Sequence, residues 1–488
     1  MPFQIVVLWT DALVFILIAC VILTAIYVRR HEHLLQPWKR VGRSAPGMVG
    51  LVMLVAFLAV GILDSLHFRA RIEGKKPGTS ATYAVEIASV LDVVLRDLKD
   101  HVEKTYSAPL AHELYSRETV ELPDGRQSRV YPRLRYGAAH LKNPAEERVP
   151  DVARRALAGA ALGFVLWLAA GTLVCARIAA AAGIGIDRAW GRVLRGETVL
   201  PWRAILASLG TLLLFAAVTY ALAGKYHVLG TSKVGQDVLY QALKSIRTAL
   251  VIGTLTTLVM LPFAVLLGIA AGYFKGWVDD LIQYIYTTLN SIPSVLLIAA
   301  AVLLVQVYMD THPNLFPTAV ERADRRLLML CAILGVTTWT GLCRLLRGET
   351  LKIRELDYIQ AAQAFGVNHM RIITRHILPN VMHIVLIAVV MEFSALVLAE
   401  AVLSYVGVGV DPSMISFGTM INAARLEMAR EPMVWWSLGA AFGFMFVLVL
   451  AANLFADAVR DAFDPRVALT RPTAARIDQP VAATGAAA

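Results

Sequence analysis

The chain has 488 residues, 57% of them hydrophobic and 17% charged, with a net charge of +10 and a mean hydropathy of +0.61. Soluble domains carry about 25% charged residues, so this composition excludes a soluble globular protein and points to helices that span a membrane. The excess of Lys and Arg is not a nucleic-acid signature, because these residues cluster beside apolar runs, where they orient the chain and meet anionic lipid headgroups.

The four cysteines, Cys20, Cys175, Cys331 and Cys343, all fall in apolar stretches without a C-x-x-C pair or a metal-ligand cluster, and read as small buried hydrophobes. The first apolar run, Ile5 to Val28, is preceded by no Lys or Arg and followed by Arg29 and Arg30. That order predicts a retained span with its N-terminus outside rather than a cleaved signal. Asp11 lies close enough to the outer end of this span to reach the headgroups. A basic loop then leads to a second span, Met48 to Leu66.

From His67 to about Arg155 the chain is polar and long enough for a small extracytoplasmic insert. Ile87, Leu91, Val94, Leu95, Leu98 and Val102 trace one face of an amphipathic helix, and Leu122 to Arg126 reads as a turn between extended segments. Ala156 to Ala182 and Ala204 to Leu222 form an added transmembrane hairpin. Its intervening Arg177, Arg188, Arg192, Arg195 and Arg203 place that loop in the cytoplasm. Gly230, Thr231, Gly235 and Asp237 then make a glycine-bounded external turn, with Asp237 suited to cap the helix beginning near Val238. No G-x-x-x-x-G-K-[ST] phosphate loop occurs anywhere in the chain, so any ATP is bound by other subunits.

Five further spans follow: Ala249 to Tyr273, Leu281 to Val307, Leu327 to Leu346, Val385 to Val408 and Trp435 to Leu454. The fold class is thus an all-α polytopic membrane protein of about nine transmembrane helices, with a cytoplasmic C-terminus. Pro293 should kink its span by removing a backbone hydrogen bond, and with Asn290 could shape a hinge or cavity wall. Thr338 belongs to a polar patch that could line the same path, although a threonine also bonds readily to its own helix. Glu392 and Glu400 stand eight residues apart on one helical face, and an intramembrane carboxylate must face protein or water. Each is a candidate either for the translocation path or for a structural pair within the bundle.

Between the last spans lies the longest polar interruption of the C-terminal half, Asp357 to Asn380. Tyr358, Ala361, Ala362 and Phe365 recur at helical spacing, Gly366 stops that helix, and Pro379 blocks helix continuation ahead of the next span. Flanking Arg344, Arg347, Lys352, Arg354, Arg371 and Arg375 hold the loop in the cytoplasm. Two helices meeting at a glycine corner suit a docking surface rather than a catalytic site.

Gln360-Ala361-Ala362, Gly366 and Leu378-Pro379, with His376 just ahead, resemble the Glu-Ala-Ala…Gly…Leu-Pro loop of ABC importer permease subunits of the dipeptide, oligopeptide and nickel type. Residues 230–238 resemble that family's external Gly-Thr-Asp-x-x-Gly-Arg-Asp-Val stretch, and residues 457–466 its C-terminal ending. The resemblance implies a type I permease core at residues 224–466, with the coupling loop at 357–380 entering a groove of a separate ATPase subunit. It also implies a second permease subunit, two ATPase subunits or domains, an extracytoplasmic solute-binding protein and an inner-membrane location, with no cofactor of its own. The family glutamate is Gln360 here. Within the N-terminal transmembrane helices of residues 1–66, Pro37-Trp38-Lys39-Arg40 and Gly47-Met48-Val49-Gly50-Leu51 resemble the start of the family's first core helix. The helix before it, the 67–155 insert and the 156–223 hairpin thus stand as additions, and 467–488 reads as a disordered tail. A secondary transporter, which would show intramembrane charge pairs and internal repeats, is the competing reading. A membrane-anchored scaffold built on the insert is another.

Overall fold

The computed structural model describes residues 3–72, 82–84, 86–121, 127–315 and 318–463. Among them nine helical segments are long and apolar enough to cross a membrane, and the chain is a multi-pass membrane protein. In order the elements are β1 (Phe3–Val6), α1 (Trp9–Arg30), α2 (Glu32–Arg43), α3 (Ala45–Ser65), β2 (His67–Ile72), β3 (Thr82–Tyr83), β4 (Ala88–Ser89), α4 (Val90–Val94) and α5 (Arg96–Asp100). After β5 (Glu118–Glu121) and β6 (Gln127–Val130) come α6 (Pro144–Ala182), α7 (Ile186–Arg195) and α8 (Trp202–Ala223). The remaining helices are α9 (Val238–Phe274), α10 (Gly276–Ser291), α11 (Ser294–Thr311), α12 (Ala319–Thr338), α13 (Thr340–Arg354), α14 (Asp357–Ala364), α15 (His369–Ile372), α16 (Leu378–Val406), α17 (Phe417–Glu427) and α18 (Trp436–Phe463).

The apolar spacing of α9 makes it the central mast. It has 37 residues, about 55 Å at 1.5 Å per residue, and so outruns a hydrocarbon layer of about 30 Å. It begins at Val238, as expected from Asp237 as its cap, and ahead of the apolar run from Ala249 its residues Val238, Ala242 and Ile246 pack with Tyr106, Phe417 and Trp436. Its other end packs with α13 and the 357–380 loop through Tyr273, Leu346, Ile353, Ile359 and Ile372.

Several sequence expectations change. The first helix starts at Trp9 instead of Ile5, because Phe3–Val6 pairs antiparallel with β2, Phe3 opposite Ala70 and Val6 opposite His67. The all-α expectation therefore gains a small sheet in which β2 also pairs with β3 and β4. Asp11 does not reach outward. It is fully buried and accepts from the Arg247 guanidinium at 2.5 Å, with His67 Nδ1 at 2.8 Å from its other oxygen. Asp324 takes the Thr10 hydroxyl and the Trp9 and Thr10 backbone N–H groups, so one ionic knot of α1, α9 and α12 anchors the first helix. Removing one partner of a buried pair strands the other, which costs about 3–5 kcal/mol. Asp11→Ala is accordingly expected to lower the thermal midpoint of the detergent-solubilised chain, whereas Asp100→Ala, on an exposed pair, leaves it unmoved.

The predicted amphipathic helix is broken into β4, α4 and α5. Leu91 and Leu98 are buried on its inner side, while Val94 and Val102 are exposed, so that face is only partly used. The third span begins at Pro144, well before Ala156, as part of a 39-residue helix. Pro293 does not kink a continuous helix but separates α10 from α11 outright, and Trp339 divides α12 from α13. Pro379 does not block the next helix: it sits in the first turn of α16, after a π-helical turn at Ile373–Ile377. The turn foreseen at residues 122–126 and the tail at 467–488 lie outside the described residues. The flanking β5 and β6 do pair antiparallel.

Candidate functional site

The 357–380 loop is built from three buried pegs and an exposed rim. Ile359, Ile372 and Ile377 are fully buried against α9 and α13, so the loop cannot swing free of them. Gly366 terminates α14 with φ +71°, its N–H donating to Gln363 O at 3.0 Å and that of Val367 to Ala362 O at 3.1 Å. The Asn368 side chain then caps α15, accepting from Met370 N at 2.9 Å. Tyr273, at the end of α9, closes the inner side with its hydroxyl 2.8 Å from His369 Nδ1.

On the outer side Phe365 is 87% exposed, with Met370, Tyr358, Gln360 and Ala361 exposed around it. Gln360 donates its amide to Glu355 O at 3.2 Å, and Ala362 is half-buried on the core side. His376 lies in the π-turn with its ring 6.0 Å from that of Tyr358. Asn380 ties the two by donating to the Tyr358 hydroxyl at 3.2 Å and His376 O at 2.6 Å. Leu378 packs against the core and Pro379 is exposed. The structure thus gathers Gln360, Ala361, Ala362, Gly366, His376, Leu378 and Pro379 on one rigid corner. Its most prominent side chain, Phe365, was visible in sequence only as one member of an apolar stripe. Behind the corner, Asp279 accepts twice from Arg347, at 2.6 and 2.7 Å, locking the start of α10 to α13.

The candidates for a translocation path do not converge. Glu400 is buried and accepts from the Ser404 and Ser416 hydroxyls at 2.6 and 2.9 Å, all within this chain. Glu392, on the same helical face, is half-buried with no hydrogen bond or ion pair among the described residues. Thr338 donates to Leu334 O of its own helix at 2.8 Å. Asn290 accepts from the Thr340 hydroxyl at 3.1 Å, just before the break at Pro293, and residues 290–296 are exposed.

At the opposite end of α9 the Gly230–Asp237 turn is gripped by residues 103–107 of the insert. Thr231 N donates to Ser107 O at 3.1 Å, Ser107 N to the Thr231 hydroxyl at 2.6 Å, and Glu103 N to Gly235 O at 2.9 Å. Gly230 and Gly235 have φ of +74° and +75°, and a Cβ on Gly235 would overlap the Glu103 backbone. Asp237 caps α9, accepting from Leu239 N at 2.8 Å and Tyr240 N at 3.2 Å, while its other oxygen meets His227 Nδ1 at 2.8 Å. Trp436 Nε1 donates to Thr231 O at 3.0 Å and closes the assembly from α18.

Glu103 completes this clamp, accepting from the backbone N–H groups of Arg135, Tyr136 and Gly137 at 2.9, 2.8 and 3.1 Å. His227 Nε2 lies 3.5 Å from Glu103 Oε1, an ionic contact longer than its hydrogen bond to Asp237. Burial alone would raise the Glu103 carboxyl, but His227 and the backbone donors bring it down to about 2. Burial would likewise lower the imidazole of His227, but Asp237 and Glu103 raise it to about 9. Glu103 and His227 are therefore both ionised at neutral pH. Nothing in the linear sequence joins residues 103–107 to 227–237, so Glu103 and His227 carried no signal there.

The family model described as "Binding-protein-dependent transport system inner membrane component" matches residues 264–469. The oligopeptide transport system permease protein OppC of Mycobacterium tuberculosis (strain ATCC 25618 / H37Rv) is 30% identical over 282 residues, covering 54% of this chain and 90% of the relative. The glutathione transport system permease protein GsiD of Pectobacterium atrosepticum is 32% identical over 241 residues, covering 49% of this chain and 73% of the relative. The dipeptide transport system permease protein DppC of Bacillus subtilis (strain 168) is 27% identical over 241 residues, 49% of this chain and 69% of the relative. With nine-tenths of one such relative covered and the glycine-cornered loop inside the matched region, the chain belongs to this family of inner membrane components, the permease subunits of ABC importers.

Proposed function

We propose that this permease carries peptides or related small solutes across a bacterial inner membrane by ATP-driven alternating access. It pairs with a second, similar permease, two cytoplasmic ATPase subunits and an extracytoplasmic solute-binding protein. ATP is bound by the partner subunits and the chain has no catalytic site of its own. The N-terminus lies outside and the C-terminus in the cytoplasm. The oligopeptide, dipeptide and glutathione permeases among the relatives support the substrate class.

One observation carries the reading: an exposed aromatic knob, Phe365, on a corner whose inner side is pegged by three fully buried isoleucines. An exposed aromatic on a rigid base suits insertion into a partner's pocket. A base locked to α9, α13 and α16 suits passing the partner's movement to the spans. Gln360, Ala361, Ala362 and Gly366 form the contact surface, and His376, Leu378 and Pro379 join it to α16. On the path itself the break at Pro293 beside Asn290 is the better hinge, Thr338 and Glu392 remain wall residues, and the serine bonds of Glu400 support an internal structural role. The Gly230–Asp237 turn is the outer anchor of α9.

Proteoliposomes containing the whole complex, with binding protein outside and ATP inside, are expected to accumulate labelled di- and tripeptides only when ATP is hydrolysed. Accumulation driven by an ion gradient, by this chain without ATPase subunits, would overturn the proposal in favour of a secondary transporter.

A further inference from the structure

The added hairpin leaves a cavity of about 1190 Å³ between α8 and the core, at the end of the bundle that carries the Gly230–Asp237 turn. Its walls are apolar and come from four spans: Met53 and Phe57 of α3, Phe215 of α8, Leu243 of α9, and Phe444 and Val447 of α18. Water gains nothing in such a slot, because a water molecule needs two to four polar partners.

The mouth is different. Tyr220 is 79% and Trp435 54% exposed there, amphipathic rings of the kind that sit at headgroup level. Asp97, Arg155 and Lys225 complete the rim. Arg155 is engaged by Asp151 at 2.8 Å, whereas Asp97 and Lys225 are exposed and make no side-chain hydrogen bond or ion pair among the described residues. One unpaired cation and one unpaired anion among the described residues therefore flank the mouth of the apolar slot.

We propose that this cavity is a built site for one phospholipid with a zwitterionic, primary-ammonium headgroup, a phosphatidylethanolamine. Its acyl chains fill the slot between α3, α8, α9 and α18, its phosphate faces Lys225 and Arg155, and its ammonium faces Asp97. Both charges of the rim are answered by this headgroup. Phosphatidylglycerol has the phosphate but no cation, and leaves Asp97 facing an anion. The lipid would then add to the direct contacts that join the hairpin to the core, where α8 packs on α3 and Phe215 meets Phe444 of α18.

The test is the lipid retained by the full-length chain after delipidation and reincorporation into nanodiscs of phosphatidylethanolamine, phosphatidylglycerol or an equal mixture, counted by native mass spectrometry. The wild type is expected to keep one phosphatidylethanolamine, preferred over phosphatidylglycerol by about five-fold, the scale of one exposed charge pair. A Cβ on Gly443 meets open space in this cavity wall, so Gly443→Phe fills the slot and should lower retention at least about ten-fold. Asp97→Lys, on an exposed side chain, should reverse the preference toward phosphatidylglycerol, and decides the matter even if Gly443→Phe does not fold. Equal retention of the two lipids, a preference unmoved by Asp97→Lys, or a bound molecule that is not a phospholipid would overturn the assignment.

Discussion

Phe365→Asp is expected to separate ATP hydrolysis from transport while leaving the permease folded and inserted. The side chain is 87% exposed, so the substitution removes almost no packing within the chain. What it removes is an aromatic anchor in the proposed ATPase groove, and truncating such an anchor costs about 2–4 kcal/mol of association. Co-purification of the ATPase subunits should fall at least about thirty-fold, since each 1.4 kcal/mol is a factor of ten, and peptide uptake should be lost with it. Gly366→Val probes the same corner through the backbone. No atom lies within 4 Å of a Cβ placed there, so the change causes no clash, but an L residue held at φ +71° costs about 1–2 kcal/mol and pulls the corner out of register. Insertion should survive and ATP-driven uptake should fail. Normal uptake by both variants would sink the coupling assignment.

Glu103→Ala is expected to unclasp the insert from the transport core. Three backbone donors lose their acceptor, and His227 is left buried and charged against Asp237 alone. Breaking a buried ionic cluster in this way costs about 3–5 kcal/mol. Limited proteolysis should then cut residues 86–121 and 127–143 rapidly at a temperature where the wild type resists there. The pH dependence follows from the shifts. His227 is raised from 6.5 to about 9, so its contribution is complete below pH 6.5 and lost as pH rises through about 9. Glu103 is depressed from 4.5 to about 2, so its contribution is complete above pH 4.5 and lost as pH falls toward 2. The clamp of the wild type is therefore strongest between about pH 4.5 and 6.5. His227→Gln should flatten the alkaline limb, and an alkaline limb unchanged in that variant would show that another group holds the insert.

The nine spans were legible because a 20-residue apolar run has few alternatives in a bilayer. The glycine corner was legible because Gly366 needs only its own φ and its neighbours' spacing. Pairing across long separations was not legible. Asp11 read as a residue near the headgroups because nothing local distinguishes that position from one facing Arg247, 236 residues away. The amphipathic stripe from Ile87 to Val102 promised one helix, but β4 pairing with β2 and the capping box of Ser89 and Asp92 break it. Proline was over-read at Pro379, which sits in the first turn of α16 directly after the π-turn, and under-read at Pro293, where the helix ends. Phe365 was assigned to a stripe because periodicity reports spacing and not which face meets solvent.

The most direct measurement is a photocrosslink from position 365 in native membranes, with p-benzoylphenylalanine in place of Phe365 and the rest of the importer co-expressed. The account predicts one dominant adduct with an ATPase subunit, strengthened or weakened by ATP, and no such adduct from the same probe at Trp435 near the opposite end. Adducts with lipid alone, or with an extracytoplasmic protein, would contradict it.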